Sequence, residues 1–205
     1  MQVEFWADVI CPWCYIGKAR FEKALAEFEH RAEITVVHRA FELDPGREGV
    51  ESVQDVLAAK FGPRAAEMEE SVAQLARDEG LGYRLDREVG NTFDVHRLLH
   101  LAGERGIGQQ VLDAVLRANF AEARSLFTPE SLSEIATGAG LDPADVKAVL
   151  SDPAAHADEV RADEQRARDL GVTGVPFVVV AGRLAVAGAQ PAEVFGRALT
   201  QAWEV

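Results

Sequence analysis

The sequence predicts an α/β fold: a β-α-β unit at the amino end, a β-β-α unit at the carboxyl end, and a large all-helical insertion between them. Three observations predict it. Residues 3–7 and 34–37 are short, apolar or β-branched runs, and between them Ile16, Ala19, Phe21, Leu25 and Phe28 recur at roughly helical spacing. From about Ser52 to Leu170 the strand signal nearly vanishes. It returns at residues 176–180 and 184–186, split by Ala181-Gly182-Arg183, a break short enough for a β-hairpin, and a last helix follows over 191–203.

Each helix of the middle block has local signals. Candidates are 53–61, 63–79, 92–105, 109–123, 129–139, 143–150 and 153–170, with Gly or Pro between them. Thr128-Pro129, Asp142-Pro143 and Asp152-Pro153 each place a capping oxygen before a proline, whose missing N–H costs nothing at the first helical position. Asn91 or Thr92 is expected to cap the helix over 92–105, with Phe93 and Leu98 turned into the core. This order divides the chain into a discontinuous core, 1–43 with 158–205, and an insertion, 44–157.

Composition narrows the function. With 205 residues, 48% hydrophobic and 27% charged, the chain has material for a real core and no bias towards disorder. Its 34 acidic residues outnumber 21 Lys and Arg, and a net charge of -13 repels phosphate backbones and anionic lipid, so neither nucleic acid nor membrane is an expected partner. The first residues lack the basic start and apolar stretch of a signal peptide, and there is no run of the roughly 18 apolar residues that a membrane helix needs. A cytoplasmic location is expected.

The two cysteines stand in Cys11-Pro12-Trp13-Cys14. A disulfide-stapled scaffold would use more cysteines in wider loops, whereas a close pair in a reducing compartment points to redox or metal chemistry. Zinc would require two further ligands, and His30, His38, His96 and His100 form no paired ligand motif with the cysteines, so no metal is expected. A structural pair of small buried thiols is the other bland reading. The pair sits where a helix begins, and there unpaired N–H groups and the helix dipole favour an anion. A thiol pKa of about 8.5 falls to roughly 3.5–7.5 in such places, raising the thiolate fraction. Cys11 is read as the exposed nucleophile and Cys14 as the resolving thiol one turn later, with Pro12 and Trp13 shaping the reactive surface.

Three segments carry a resemblance over almost the whole chain: Asp8-Val9-Ile10-Cys11-Pro12-Trp13-Cys14-Tyr15-Ile16-Gly17, Asn91-Thr92-Phe93-Asp94-Val95-His96-Arg97-Leu98 and Gly171-Val172-Thr173-Gly174-Val175-Pro176-Phe177. Together they make the chain similar to the DsbA-like branch of the thioredoxin superfamily, and to its FrnE-like proteins. The resemblance implies a thioredoxin-like core interrupted by a helical insertion, and a cis-proline at Pro176 beside the active site. It also implies that the backbone of Val175 pairs with an extended substrate.

On this basis the chain is expected to be a thiol-disulfide oxidoreductase or disulfide isomerase, with no bound cofactor and with glutathione admitted as a co-substrate. Its substrate would be a protein or small-molecule thiol or disulfide, and a homodimer is one assembly open to it. The branch also resembles 2-hydroxychromene-2-carboxylate isomerases and kappa-class glutathione transferases, so a glutathione-dependent isomerase or transferase is an alternative; those relatives carry serine where this chain has Cys11. A redox-sensitive binding or chaperone module is a second alternative. His96 and His100 could share a helix face near the cleft, although packing and capping serve as well; Asp8 fits a turn or a cap better than it fits tuning of a thiol.

Overall fold

The computed structural model describes residues 1–204; Val205, the last residue of the carboxyl-terminal core segment, lies outside them. In chain order the strands are β1 (Gln2–Ala7), β2 (Thr35–Ala40), β3 (Glu51–Ser52), β4 (Glu88–Val89), β5 (Phe177–Val180) and β6 (Leu184–Ala187). The helices are α1 (Pro12–Glu27), α2 (Val53–Phe61), α3 (Ala65–Asp78), α4 (Phe93–Glu104), α5 (Gly108–Phe120), α6 (Pro129–Gly138), α7 (Pro143–Ser151), α8 (Ala157–Asp169) and α9 (Ala192–Trp203).

Four strands form one sheet in the order β2-β1-β5-β6. β1 runs parallel to β2 and antiparallel to β5, which turns back into β6. Being central, β1 is buried on both faces, and the two faces take different residues. Val3, Phe5 and Ala7 pack with Phe21 of α1 and with Phe195 and Leu199 of α9. On the opposite face Trp6 packs with Ala167 of α8, Val172 and Val179. The β5–β6 turn holds Ala181 at φ 54° and Gly182 at φ 66°, left-handed values that tight hairpin loops demand.

A second core gathers α4 to α7 around Leu98, Leu112, Leu116, Phe120 and Ile135. Val9 and Tyr15 belong to this helical core, whereas Cys11 and Cys14 belong to the sheet core. The cysteine turn therefore lies on the seam between the two.

Some element bounds differ from the sequence expectation. A short antiparallel pair, β3 with β4, lies inside the segment where no strand was expected; two residues are too few to show any period. The expected helix over 63–79 opens with a 3-10 turn, Gly62–Arg64, before α3. The helix expected from Pro153 starts only at Ala157. Arg97 Nη1 donates to the carbonyls of Val149, Asp152 and Ala155, at 2.7, 2.7 and 3.0 Å. Those carbonyls are thus held in a turn, and His156 closes it in the left-handed region at φ 56°. β2 continues past Val37 because its pairing with β1 extends through His38, Arg39 and Ala40. At the start of α4, Asn91 Oδ1 accepts the Phe93 N–H at 2.9 Å and the Thr92 hydroxyl makes no capping bond. Leu98 is buried; Phe93 is half-buried, under the Arg161 guanidinium at 4.2 Å.

Candidate active site

Cys11 occupies the N-cap of α1 with extended backbone, and Pro12 fills the first helical position. Among the described residues no side chain caps this helix end, so its N–H groups remain turned towards the cysteines. The Cys11 carbonyl accepts from the Cys14 and Tyr15 N–H groups at 3.0 and 3.2 Å, and the Asp8 carbonyl accepts from the Cys11 N–H at 3.1 Å. These bonds close one tight turn around both sulfurs, which are present as free thiols.

Both thiols are buried, Cys11 at 4% exposure and Cys14 at 1%. The sequence reading had Cys11 exposed; the difference comes from a segment far away in the chain. The Val175 carbonyl comes within 3.7 Å of Cys11 Sγ and covers it. The Val175–Pro176 peptide bond is cis, Val175 is half-buried and Pro176 is buried. Trp13 stands out at 40% exposure and Pro12 is half-buried, so this dipeptide and Val175 make the accessible rim.

The two thiols have opposite electrostatic settings. The Cys11 pKa is lowered from 9.0, chiefly by the hydrogen bond that Cys14 gives it, with the Cys14 and Trp13 backbone N–H groups helping; burial and the Asp8 charge oppose the shift. The Cys14 pKa is raised well above 9.0, first by burial and then by its hydrogen bond to Cys11 and by the negative charges of Cys11 and Asp8. The anion of the pair therefore belongs on Cys11.

The remaining sequence candidates fall into three places. Asp8 is fully buried; its Oδ2 accepts the Leu43 N–H at 2.7 Å and its Oδ1 faces His96 Nε2 at 3.5 Å. His100, one turn on from His96, reaches Asp163 Oδ2 at 3.0 Å. His30 stacks on Trp203, ring centroids 4.3 Å apart. Among the described residues, the potential metal-ligand trio within 4.8 Å is Glu104, His156 and Glu159, which contains no cysteine.

Sequence reasoning missed the parts that seat the turn. Gly17 leaves room for the loop that bears the proline: a Cβ there would lie 2.8 Å from Pro176 Cγ and 3.3 Å from Ala189 Cα. Arg20 Nη1 donates to the Ala189 carbonyl at 2.7 Å and its Nε to Glu79 at 2.6 Å, tying α1 to the loop after β6 and to the end of α3. Asn119 of α5 donates to the Val9 carbonyl at 3.0 Å, and Tyr15 stacks on Phe120 at 4.8 Å. Gly17 stood inside a recognised segment, and its absent side chain was the available signal. The other contacts carry no local signature.

A cysteine pair at the start of α1, covered by a cis-proline loop on a four-stranded mixed sheet, defines a thioredoxin-type dithiol protein. Residues 2–200 match the DSBA-like thioredoxin domain, and the chain belongs to that family. Among solved structures it superposes on a probable DsbA oxidoreductase from Streptomyces coelicolor with a TM-score of 0.95 and 58% identity, covering 100% of this chain and 90% of that one. The cytosolic disulfide reductase DsbM of Pseudomonas aeruginosa, solved with glutathione, shares the fold at 18% identity and a TM-score of 0.70 over 100% of both chains. A 2-hydroxychromene-2-carboxylate isomerase shares it at 17% identity and a TM-score of 0.73, over 98% of this chain and 95% of that one. In sequence, the uncharacterized protein YwbO of Bacillus subtilis (strain 168) is 24% identical over 203 residues, 98% of this chain and 96% of the relative.

Proposed function

We propose that this chain exchanges disulfides with protein or small-molecule substrates, Cys11 attacking and Cys14 resolving. The observation that carries the reading is the opposed setting of two thiols in one helical turn, anion on the first and proton on the second. The Cys11 thiolate attacks a substrate disulfide; one substrate sulfur leaves as a thiolate and the other stays bonded to Cys11. Cys14 then attacks Cys11 Sγ, the Cys11–Cys14 disulfide forms, and the second substrate sulfur leaves with the electron pair. The substrate is reduced by two electrons and the dithiol oxidised. Two thiols, for which glutathione is the candidate, restore it, and the same steps reversed would oxidise a substrate.

Val175 offers backbone groups to an extended substrate, Pro176 shields the sulfurs, and Pro12 with Trp13 form the rim it crosses. A cytoplasmic reductase is the setting we favour, since DsbM is described as cytosolic and was solved with glutathione. A sulfur at position 11 argues for thiol exchange over activation of glutathione by a serine.

The test is turnover of insulin or a model disulfide, with the redox equilibrium measured against glutathione. Cys11→Ser should fall to the uncatalysed rate with its circular dichroism unchanged. Cys14→Ser should still attack and should accumulate the mixed disulfide. Turnover that survives Cys11→Ser, or a wild type with neither turnover nor a low-pKa thiol, would sink the reading.

A further inference from the structure

Asp8 and His96 are fully buried, and the exchange just described uses neither side chain. Asp8 Oδ1 and His96 Nε2 face each other at 3.5 Å, and neither makes a hydrogen bond among the described residues. At its other edge His96 presents Nδ1 to His38 Nε2, also at 3.5 Å, with the two rings within 8° of parallel. His38 sits on the edge strand β2 and lines a cleft of about 690 Å³ between β2 and the turn from α4 to α5; its Nδ1 makes no hydrogen bond among the described residues. The line thus runs from the cysteine turn, through α4, to a wall open to solvent. Burying a carboxylate and two imidazoles in loose contact costs free energy that apolar side chains of the same size would not.

We propose that Asp8, His96 and His38 form a proton path for Cys14, connecting the buried end of the dithiol to the cleft beside β2. The inference rests on the reading of Cys14 as the resolving thiol. In the resolving step the Cys14 S–H bond breaks as its sulfur bonds to Cys11 Sγ. The Cys11–substrate S–S bond breaks, its electron pair leaves on the substrate sulfur, and the Cys14 proton passes to Asp8 and outward over the two imidazoles. When a substrate thiolate opens the disulfide, Cys14 leaves as the thiolate and the proton returns by the same route.

The surroundings suit this role. Asp8 adjoins the cysteine turn, its carbonyl accepting the Cys11 N–H at 3.1 Å, and its charge acts on both thiols. An imidazole takes a proton at one nitrogen and releases one at the other. His38 is held neutral, with its pKa well below 6.5, first by burial and then by the repulsion that a proton on it would meet from His96, His100, Lys18 and Arg39, so it retains an accepting nitrogen near neutral pH. The other charges close to it are already engaged. Lys18 of α1 pairs with Glu22 and with Asp113 of α5, Arg39 holds Asp163 of α8, and His100 Nε2 lies 3.0 Å from the same carboxylate. The 3.5 Å spacings are longer than ordinary hydrogen bonds by about half an ångström, and such contacts tighten when a reacting complex forms.

His96 and His38 are positioning residues on this account, and the test separates the two chemical steps. Reduced protein is mixed with a small aromatic disulfide, each step releasing one coloured thiolate: the first on attack by Cys11, the second on resolution by Cys14. His96→Asn and His38→Asn should leave the first release within about twofold and slow the second on the order of 10- to 100-fold near neutral pH. The defect should shrink as pH rises and hydroxide replaces the path, whereas damage to packing would slow both releases at every pH. His38→Asn, at a half-buried position, supplies the answer if His96→Asn does not fold. A wild type that releases no second thiolate removes the exchange reading and the path with it. A wild type that releases both, alongside folded variants that resolve within twofold of it at every pH, removes the path alone.

Discussion

Cys11 and Cys14 are chemically identical residues three positions apart, and their surroundings make them unlike. Cys14 is sealed in the sheet core, where desolvation keeps its proton on, and that proton is what stabilises a thiolate on Cys11. Asp8 works against the anion on both sulfurs, so Asp8→Asn should lower the Cys11 pKa and, by favouring the reduced form, make the dithiol more oxidising. Ultraviolet titration of the thiolate and equilibration with glutathione would show it; an unchanged or higher pKa would contradict the assignment. Gly17 gives a second test at this scale. Gly17→Ala gains helix propensity but drives a methyl into the Pro176 ring and the Ala189 backbone, for a net loss on the order of 1 kcal/mol. Its turnover of a model disulfide should drop more than its denaturation midpoint suggests, because the displaced ring belongs to the site.

At the scale of elements, the junction of α4, α7 and α8 shows a side chain deciding where helices stop and start. Arg97, 2% exposed, spends one guanidinium nitrogen on one carbonyl in the last turn of α7 and two just beyond it, and the rest on Asp94. Arg97→Met removes those donors and leaves buried carbonyls unpaired, so about 2–5 kcal/mol of stability should be lost, read as a fall in the denaturation midpoint. Amide exchange should quicken first between residues 149 and 157. Capping behaves as its local chemistry dictates. Asp142 accepts the Ala144 and Asp145 N–H groups at 2.8 and 3.3 Å, and Thr128 accepts the Ser131 N–H at 3.2 Å. These are the starts visible in the sequence as a capping oxygen followed by proline. Asp152 carries the same signal and yields only a turn, since Arg97 claims the carbonyls around it.

For the whole molecule, the seam between the sheet core and the helical core is where function gathers. Val9 and Tyr15 pack into one core and the cysteines they flank pack into the other, so the reactive turn is gripped from both sides. The buried histidine line also couples the fold to pH. Because the folded chain holds His38 well below its unfolded pKa of 6.5, the unfolded chain binds a proton in mild acid that the folded chain refuses. This contribution to stability is complete above about 6.5 and is lost as the pH falls towards the folded value. The melting temperature of the wild type should therefore decline from neutral into mildly acidic solution, and His38→Asn should flatten that part of the curve. Identical slopes for the two proteins would show that His38 is not the group responsible.

By itself the sequence determined the order of elements and the nature of the site. Helical spacing, β-branched runs and proline at helix starts are properties of a few neighbouring residues, and a dithiol at a helix start is one such property. Tertiary structure decided what those parts do to one another. Cys11 lost its exposure to a carbonyl 164 positions away, Gly17 met the Pro176 ring of a distant loop, and His38 stacked on a histidine 58 positions later in the chain. Such contacts depend on how layers pack and which strands are neighbours, and no local pattern of residue types encodes them. The pair Cys11 and Cys14 was legible as chemistry, down to which thiol attacks; the burial of both sulfurs and the partners that set their charges were not.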